Sequence, residues 1–413
     1  MFYYYITCDE IIPMQKIDWK DEKKKAFWKN IFLFRWDKLI QKRDKHQWVF
    51  GGREGKNFDD NSRHLFEWVN KNHPELKIAW LCRTKELANE IQSLGYRAYV
   101  FDTKDADDFA KHAGVAFYSH ELIDFGPHPR VGGATIATTG HGSGGKKINY
   151  LSHTGLTLFL KKIADAFFCW TYRDLTMGTS KFHLHQYEGY FNLKKNAHKA
   201  ICGQPQNDVL FSGITKEEVV GSLGINPHKN LILYMPTYRG PAMGEDQMSN
   251  IVKDLYKCKD LDNALNKTNS VFVVKLHPLT PHIDIKNRDN FIVLDYSALK
   301  NNHQLLAVGD MMISDYSATI VDFSLLERPV QFYLPDHDKF IKLSEPLFEE
   351  FVDLCKKNCC TTPEELACAI LHPNNRSVDA INELFEDPSL KGTCFCEGVF
   401  KAICKEAGLK EFL

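Results

Sequence analysis

KIAWLCRTKELANEIQSLGYRAYVFDTKDADDFAKHAGVAFYS, residues 77–119, reads as strand, helix, strand, helix, strand. KIAWLC, YRAYVF and GVAFYS are short apolar runs, and the segments between them have helical spacing, the first closed by Gly95. Short apolar runs alternating with helices, joined by short connections, describe a parallel sheet with βαβ crossovers. Upstream, QWVFGG at 47–52 is a further apolar run and NSRHLFEWVNKN at 61–72 a further helical pattern. A second series starts at Leu231: LILYMP, VFVVKLHP, FIVLDY and MMIS, separated by helical stretches such as 246–266 and 301–308. SATIVDFSLLE and VQFYL then complete another βαβ unit. Further on, Thr362 caps a helix, Pro363 takes its first position and Glu365 closes a capping box. The expectation is an α/β protein of two Rossmann-like halves, with the join between residues 192 and 230. Ligands in such sheets bind at the carboxyl ends of the strands, so the expected site is the cleft between the halves.

Composition agrees. The chain has 413 residues, 44% hydrophobic and 25% charged, which excludes a disordered or fibrous protein and suits two or three domains. Its 52 Lys+Arg against 53 Asp+Glu give no global basic excess, so nucleic acid is not expected as a partner. No apolar run approaches the roughly 20 residues that span a bilayer. The start, MFYYYITCDEIIP, lacks the basic region and apolar length of a secretion signal, which predicts a cytosolic chain. The 12 Cys then read as reduced thiols. Seven of them crowd the end (Cys355, Cys359, Cys360, Cys368, Cys394, Cys396 and Cys404), but no paired C-x2-C spacing marks a zinc site. In residues 23–43, Phe27, Trp28, Ile31, Phe32, Trp36 and Leu39 recur at helical spacing among Lys and Arg. That pattern suits a helix lying on anionic lipid, and equally one packed on its own domain.

Three strand ends in the second half carry polar groups. VFVVKL ends in His277-Pro278, LILYMP leads into Thr237-Tyr238-Arg239, and MMIS leads into Asp315-Tyr316-Ser317-Ala318-Thr319. Hydroxyls and free N–H groups at Ser317 and Thr319 suit a phosphate at a helix start, and Arg239 can grip phosphate oxygens. In the first half, ATIATTGHGSGGKKI ends a strand in a Gly-rich loop with His141, Ser143, Lys146 and Lys147. The loop nearly fits G-x-x-x-x-G-K-[ST], but Lys147 stands where Ser or Thr would hold Mg²⁺, which speaks against a P-loop. The remaining reading is a loop at the mouth of the cleft, with His141 able to act as a base near neutral pH.

Several segments resemble the CDP-glycerol glycerophosphotransferase family, whose members build poly(glycerol phosphate) and poly(ribitol phosphate) of teichoic acids and some capsules. The family's opening strand, Gly turn and "DNP"-like helix start look like VFGGREGKNFDDNSRHLFEWV, and its "WHG-x-x-x-KK" loop is similar to GHGSGGKK at 140–147. Its "G-x-PRND" resembles GQPQND at 203–208, its "Y-x-PT-[WYF]-R" resembles YMPTYR at 234–239, and its "K-x-HP" resembles KLHP at 275–278. Its "DYSS-x-x-x-D-x-x-x-x-x-x-P" resembles the segment holding Asp315, Ser317, Asp322 and Pro329, followed by an "F-Y-x-x-D" at 332–336. The departures are Gly140 for Trp, Gln206 for Arg, Ala318 for the second Ser, and the absence of a recognisable "RG-F" segment beyond Asp336.

The resemblance implies a GT-B fold: an extension over 1–45, an acceptor domain over 46–205, a CDP-donor domain over 206–390 and a Cys-containing helical tail over 391–413. It implies transfer of a polyol phosphate, glycerol phosphate first, from CDP-glycerol or CDP-ribitol to a lipid-linked or saccharide hydroxyl, with CMP leaving. The implied catalytic pair is His141, the base on the acceptor hydroxyl, and His277 on the donor side. Thr237, Arg239, Asp315, Ser317 and Thr319 would form the donor site. Asp322 would reach the ribose or polyol, or face solvent. Lys146 and Lys147 would bind an anionic acceptor, or simply be solvated. A pyrophosphate donor often brings Mg²⁺, but no carboxylate cluster to hold it is legible. Other GT-B enzymes (a nucleotide-sugar glycosyltransferase or a UDP-sugar 2-epimerase) and a non-catalytic polymer binder remain open. Residues 23–43 add the expectation of a peripheral protein on the inner face of the membrane.

Overall fold

The computed structural model describes residues 34–39, 42–168, 172–193, 196–244, 246–294, 298–299 and 301–413. The apolar runs become strands, and the central ones are buried on both faces, as a parallel sheet between helix layers requires. In the first half these are β1 (Asp44–Gly51), β2 (Lys77–Cys82), β3 (Ala98–Val100), β4 (Ala113–Tyr118), β5 (Thr135–Thr138), β6 (Leu175–Gly178) and β7 (His198–Ile201). They form one sheet, ordered β3-β2-β1-β4-β5-β6-β7, in which every pair is parallel. The helices between them include α1 (Asp60–Asn72), α2 (Lys85–Ser93), α3 (Lys104–His112), α4 (Gly155–Phe168) and α5 (Lys181–Phe191). Thr84, Thr103 and Ser180 cap α2, α3 and α5 by accepting a backbone N–H three residues on.

The second sheet contains β8 (Asn230–Tyr234), β9 (Ser270–Lys275), β10 (Phe291–Leu294), β11 (Met311–Ser314), β12 (Val330–Tyr333) and β13 (Cys359–Cys360), ordered β10-β9-β8-β11-β12-β13 and again parallel. The expected helical stretch 246–266 divides into α6 (Gln247–Lys257) and α7 (Lys259–Lys267). Cys258 adopts an extended backbone between them, and its sulfur accepts the Leu261 N–H at 3.4 Å. Then come α8 (Asn302–Val308) and α9 (Thr319–Ser324). The capping box at Thr362 and Glu365 opens the helix Pro363–Leu371.

Both sheets reverse direction at their centre, between β1 and β4 and between β8 and β11. A crevice opens outside the strand ends at such a reversal. The two crevices position everything that follows.

The chain ends with α10 (Arg376–Phe385) and α11 (Phe395–Ala407). Helix α11 returns to the first domain: Val399, Phe400, Ile403 and Cys404 join the core formed by Trp48, Phe66 and Trp80, and Phe400 stacks on Trp48 at 5.3 Å. Asp208, in the segment linking the domains, accepts the N–H groups of Phe395 and Cys396 at 2.7 and 2.8 Å and so caps α11. Of the terminal cysteines, Cys355, Cys360, Cys396 and Cys404 pack as small apolar residues, and burial pushes the Cys404 thiol up to about 12. Among the described residues, no group of three His, Cys, Asp or Glu is arranged to hold a metal ion.

Of residues 23–43, the positions Phe27, Trp28, Ile31 and Phe32 lie outside the described residues. Residues 34–39 are helical and packed on the first domain. Phe34 is buried there, and Asp37 pairs with Arg130 through two contacts of 2.5 and 2.6 Å. Trp36 and Leu39 face solvent. No helix among the described residues is long and apolar enough to cross a membrane.

Candidate active site

The crevice of the second sheet is built from the ends of β8 and β11. Thr237 donates its backbone N–H and its hydroxyl to Asp315 Oδ1, at 2.8 and 2.7 Å, which ties the two strand ends together. Arg239 lies beneath. One terminal nitrogen donates to Asp315 Oδ2 at 2.6 Å and to the Thr237 carbonyl at 2.8 Å. Its other two nitrogens donate to the Asp336 carboxylate, both at 2.8 Å. The guanidinium also covers the Phe340 ring at 4.6 Å. Burial alone would lower its pKa, but Asp315 and Asp336 outweigh that and hold it above its ordinary value. Arg239, expected on the donor phosphates, is only 4% exposed and is committed to these carboxylates. Asp315, wholly buried, likewise braces Thr237 from below.

Ser317 and Thr319 are half-buried at the start of α9, their hydroxyls hydrogen-bonded to each other at 2.8 Å. His277 follows β9 and stacks against Tyr238 at 5.4 Å. Its Nδ1 accepts the Leu279 N–H at 3.2 Å, so the neutral ring carries its proton on Nε2 and can donate it. Asp322 turns to the seam between the domains, where it accepts the Asn207 amide at 2.9 Å and lies 3.4 Å from His303 Nε2.

The Gly-rich loop 140–147 crosses from the first domain to this crevice. Gly140 has φ +64, and a Cβ there would lie 2.2 Å from the Tyr187 hydroxyl. That hydroxyl donates to the Thr139 carbonyl at 2.6 Å. Asn61 donates to the Gly140 carbonyl at 2.9 Å, and Gln186 to the Gly144 carbonyl at 2.8 Å. Ser143 is held by the wholly buried His183, whose Nδ1 lies 2.8 Å from its hydroxyl. Burial drives the His183 imidazole down to about 3, so it is neutral.

The far end of the loop is attached to the second domain. Phe348 N–H donates to the Gly145 carbonyl at 2.8 Å, and Lys147 N–H to the Pro346 carbonyl at 2.7 Å. Gly144 comes against Ala318, with a Cβ-to-Cβ distance of 3.3 Å if Gly144 carried one. Lys146 lies 3.3 Å from Glu345, and Lys147 lies 5.5 Å over the Phe348 ring. The loop therefore lies beside the turn 315–319. His141, within it, stacks face to face on His120 at 4.4 Å. Unlike a P-loop, the loop leads into a 3₁₀ turn at Asn149–Ser152 rather than an α-helix, and its backbone pairs with residues 346–348.

The sequence profile of the family described as CDP-glycerol:poly(glycerophosphate) glycerophosphotransferase matches residues 33–385. The chain belongs to this family. It is 26% identical to a teichoic acid poly(glycerol phosphate) polymerase of Bacillus spizizenii, over 80% of this chain and 84% of that one. It is 22% identical to the polymerase of the same description from Staphylococcus epidermidis, over 82% of this chain and 46% of that one. The chain thus spans about half the length of the latter relative. Among solved structures, the wall teichoic acid polymerase TagF superposes with a TM-score of 0.70 at 19% identity, covering 94% of this chain and 98% of that one. The Staphylococcus aureus MnaA–UDP complex superposes at 0.51 with 10% identity, covering 89% and 97%. These likenesses show the two-domain, GT-B-like fold and no more, since one fold hosts many chemistries.

Three positions of the glycerophosphotransferase motifs in this chain are substituted, and each has a local setting. The Tyr187 hydroxyl occupies the space a side chain at position 140 would enter. Gln206 contributes its backbone N–H to Asn61 Oδ1 at 3.1 Å. Ala318 gives the Gly-rich loop a small surface to lie on. Sequence reading did not single out Asn61, His120 and His183, which meet the loop at Gly140, His141 and Ser143.

Proposed function

We propose that the chain transfers a polyol phosphate, glycerol phosphate first, from a CDP-linked donor to a hydroxyl of a teichoic-acid-like or capsular acceptor, releasing CMP. The observation that carries this is the attachment of the His141 loop to residues 346–348 of the second domain, beside Ala318, in a chain of this family. His141 takes the acceptor hydroxyl proton as the oxygen bonds to the β-phosphorus. The bond from that phosphorus to the bridging oxygen breaks, and CMP leaves with the oxygen. His277 Nε2–H donates to the pyrophosphate or the departing CMP oxygen. The hydroxyls of Ser317 and Thr319 hold the phosphates. Thr237, Asp315 and Arg239 keep the crevice in shape, which matters because phosphoryl transfer depends mainly on positioning and charge stabilisation. Lys146 and Lys147 supply positive charge at the loop for an anionic acceptor, and Asp322 sets the domain seam beside the donor. Asp315 and Asp336 are both committed to Arg239, so no carboxylate pair is available there for Mg²⁺, and no step is assigned to one.

The test is incubation with CDP-glycerol, CDP-ribitol and UDP-sugars, with mass analysis of nucleotide and product. CMP release from a CDP-polyol is expected; UMP or UDP release without CMP would sink the reading. His141→Ala and His277→Ala should each lower CMP release by about 10²–10⁴-fold while remaining folded.

The proposed working place is the inner membrane surface. Helix α4 exposes Leu156, Phe159, Leu160 and Ile163, an apolar face an interfacial helix would bury in lipid. Partition onto anionic vesicles should weaken several-fold in Phe159→Ser/Ile163→Ser; unchanged partition would remove α4 from the proposal.

A further inference from the structure

At the amino ends of the first sheet's strands, away from both crevices, lies an open cavity of about 730 Å³, within the size range of ligand sites. It sits between the start of β1 and the residues that follow α11. The length of β1 separates it from the crevice by about 20–25 Å. Lys42, Arg43 and Lys45 line it. Arg43 builds the wall: its guanidinium donates to the carbonyls of Ala110 and Arg130 at 2.6 and 3.0 Å, and to that of Gly132. Carbonyls hold the side chain without cancelling its charge, and the nearby Asp37 is paired with Arg130. The carboxylates of the cavity, Asp44 and Glu411, face His46 at 3.7 and 2.9 Å rather than the lysines. Three cations around one hollow concentrate anions there.

Exposed apolar residues adjoin it. Trp36 and Leu39 are 61% and 83% exposed on the helical residues 34–39, which lead into Lys42. This helix also meets the far end of α4. Tyr172 follows α4 by four residues; its hydroxyl accepts from Lys38 Nζ at 2.8 Å, and its ring meets Phe34 edge-on at 5.2 Å. The exposed apolar residues of α4 and of 34–39 are therefore neighbours along the chain's surface, with the cationic cavity next in line. Apolar side chains beside a cationic hollow match the boundary of an anionic bilayer.

We propose that this cavity binds the phosphate headgroup of an anionic phospholipid, while Trp36 and Leu39 enter the acyl boundary beside it. The inference rests on the membrane being the working surface, and it adds the charge that the lipid must carry. Lys42 and Lys45 contact the phosphate oxygens, and Arg43, fixed by its carbonyls, adds charge without moving. A zwitterionic headgroup would bring its own cation against these three, so the cavity selects a net-negative one.

The test is binding of the full chain to vesicles of phosphatidylcholine, with and without phosphatidylglycerol, at one ionic strength. Wild type should prefer the vesicles with phosphatidylglycerol. Lys42→Gln/Lys45→Gln should lose about 10–30-fold on those vesicles and change little on phosphatidylcholine alone. Lys42→Arg/Lys45→Arg should keep the preference. Both lysines are exposed, so each variant should melt with wild type. Lys253→Gln/Lys257→Gln removes the same charge from α6 and should bind as wild type; an equal loss there would show that net charge alone acts and would overturn the site. Displacement from the vesicles by micromolar glycerol 3-phosphate would assign the cavity to a soluble phosphate ester and overturn the lipid. If Phe159→Ser/Ile163→Ser weakens binding to both vesicles while Lys42→Gln/Lys45→Gln keeps the preference, the membrane reading stands and this inference fails. If wild type binds neither vesicle, both fall.

Discussion

His183 shows how one residue acts without touching substrate. It is wholly buried, and its Nδ1 accepts the Thr179 N–H at 3.2 Å and meets the Ser143 hydroxyl, so it forms the floor of the loop that carries His141. Its imidazole is held down to about 3 by burial, while the unfolded chain titrates near 6.5. Between these values the unfolded state binds more protons than the folded one, so stability rises with pH across that window. The stability His183 contributes is therefore complete above about pH 6.5 and is lost as pH falls toward 3. In a comparison with His183→Asn, wild type should lose about 1.4 kcal/mol per pH unit relative to the variant between pH 6 and 4.5. Urea unfolding at several pH values measures this, and a pH-independent difference would show that the imidazole is not kept neutral. At this scale the placing of His141, His277 and Ser317 at strand ends was legible, because each lies two or three residues after its strand. The contacts of His120 and His183 were not, since they reach the loop from two other segments.

At the scale of elements, the loop 140–147 is the decisive piece. Its glycines serve different purposes: Gly140 supplies a left-handed turn under Tyr187, and Gly145 lets Phe351 approach to where a Cβ would sit only 1.8 Å away. Gly140→Ala should cost about 1–3 kcal/mol, combining left-handed strain with the clash, and should lower CMP release with it. Adding Tyr187→Phe should return part of the stability but not the part due to φ. Unfolding free energies of the two variants separate these contributions; a Gly140→Ala protein as stable as wild type would remove the loop's claim to a fixed shape. Strands and capped helices were legible from local chemistry, as at Thr362. The break at Cys258 was not, because cysteine is no breaker and the amphipathic pattern runs straight through it.

The whole molecule is held together by crossings between its halves. Helix α11 closes the first domain's core although it comes last in sequence, and the Gly-rich loop of the first domain pairs with the second. Phe400 is 1% exposed and packed on Trp48, so Phe400→Ala should destabilise by about 3–5 kcal/mol, as for other large aromatic truncations. Chemical denaturation followed by Trp fluorescence would report it, because Trp48 and Trp80 sit in that core. A loss below about 1 kcal/mol would mean that the first domain does not depend on α11.

The sequence alone determined the two parallel sheets, the order of the motifs and the transferase family. Hydrophobic periodicity and strand-end chemistry act over a few residues and survive in a linear reading. Tertiary structure decided which separated groups meet: Arg239 committed to two carboxylates, His120 stacked on His141, and α11 returned to the first core. Those contacts depend on sheet order and domain docking, which bring together residues up to hundreds of positions apart, and no local spacing records them.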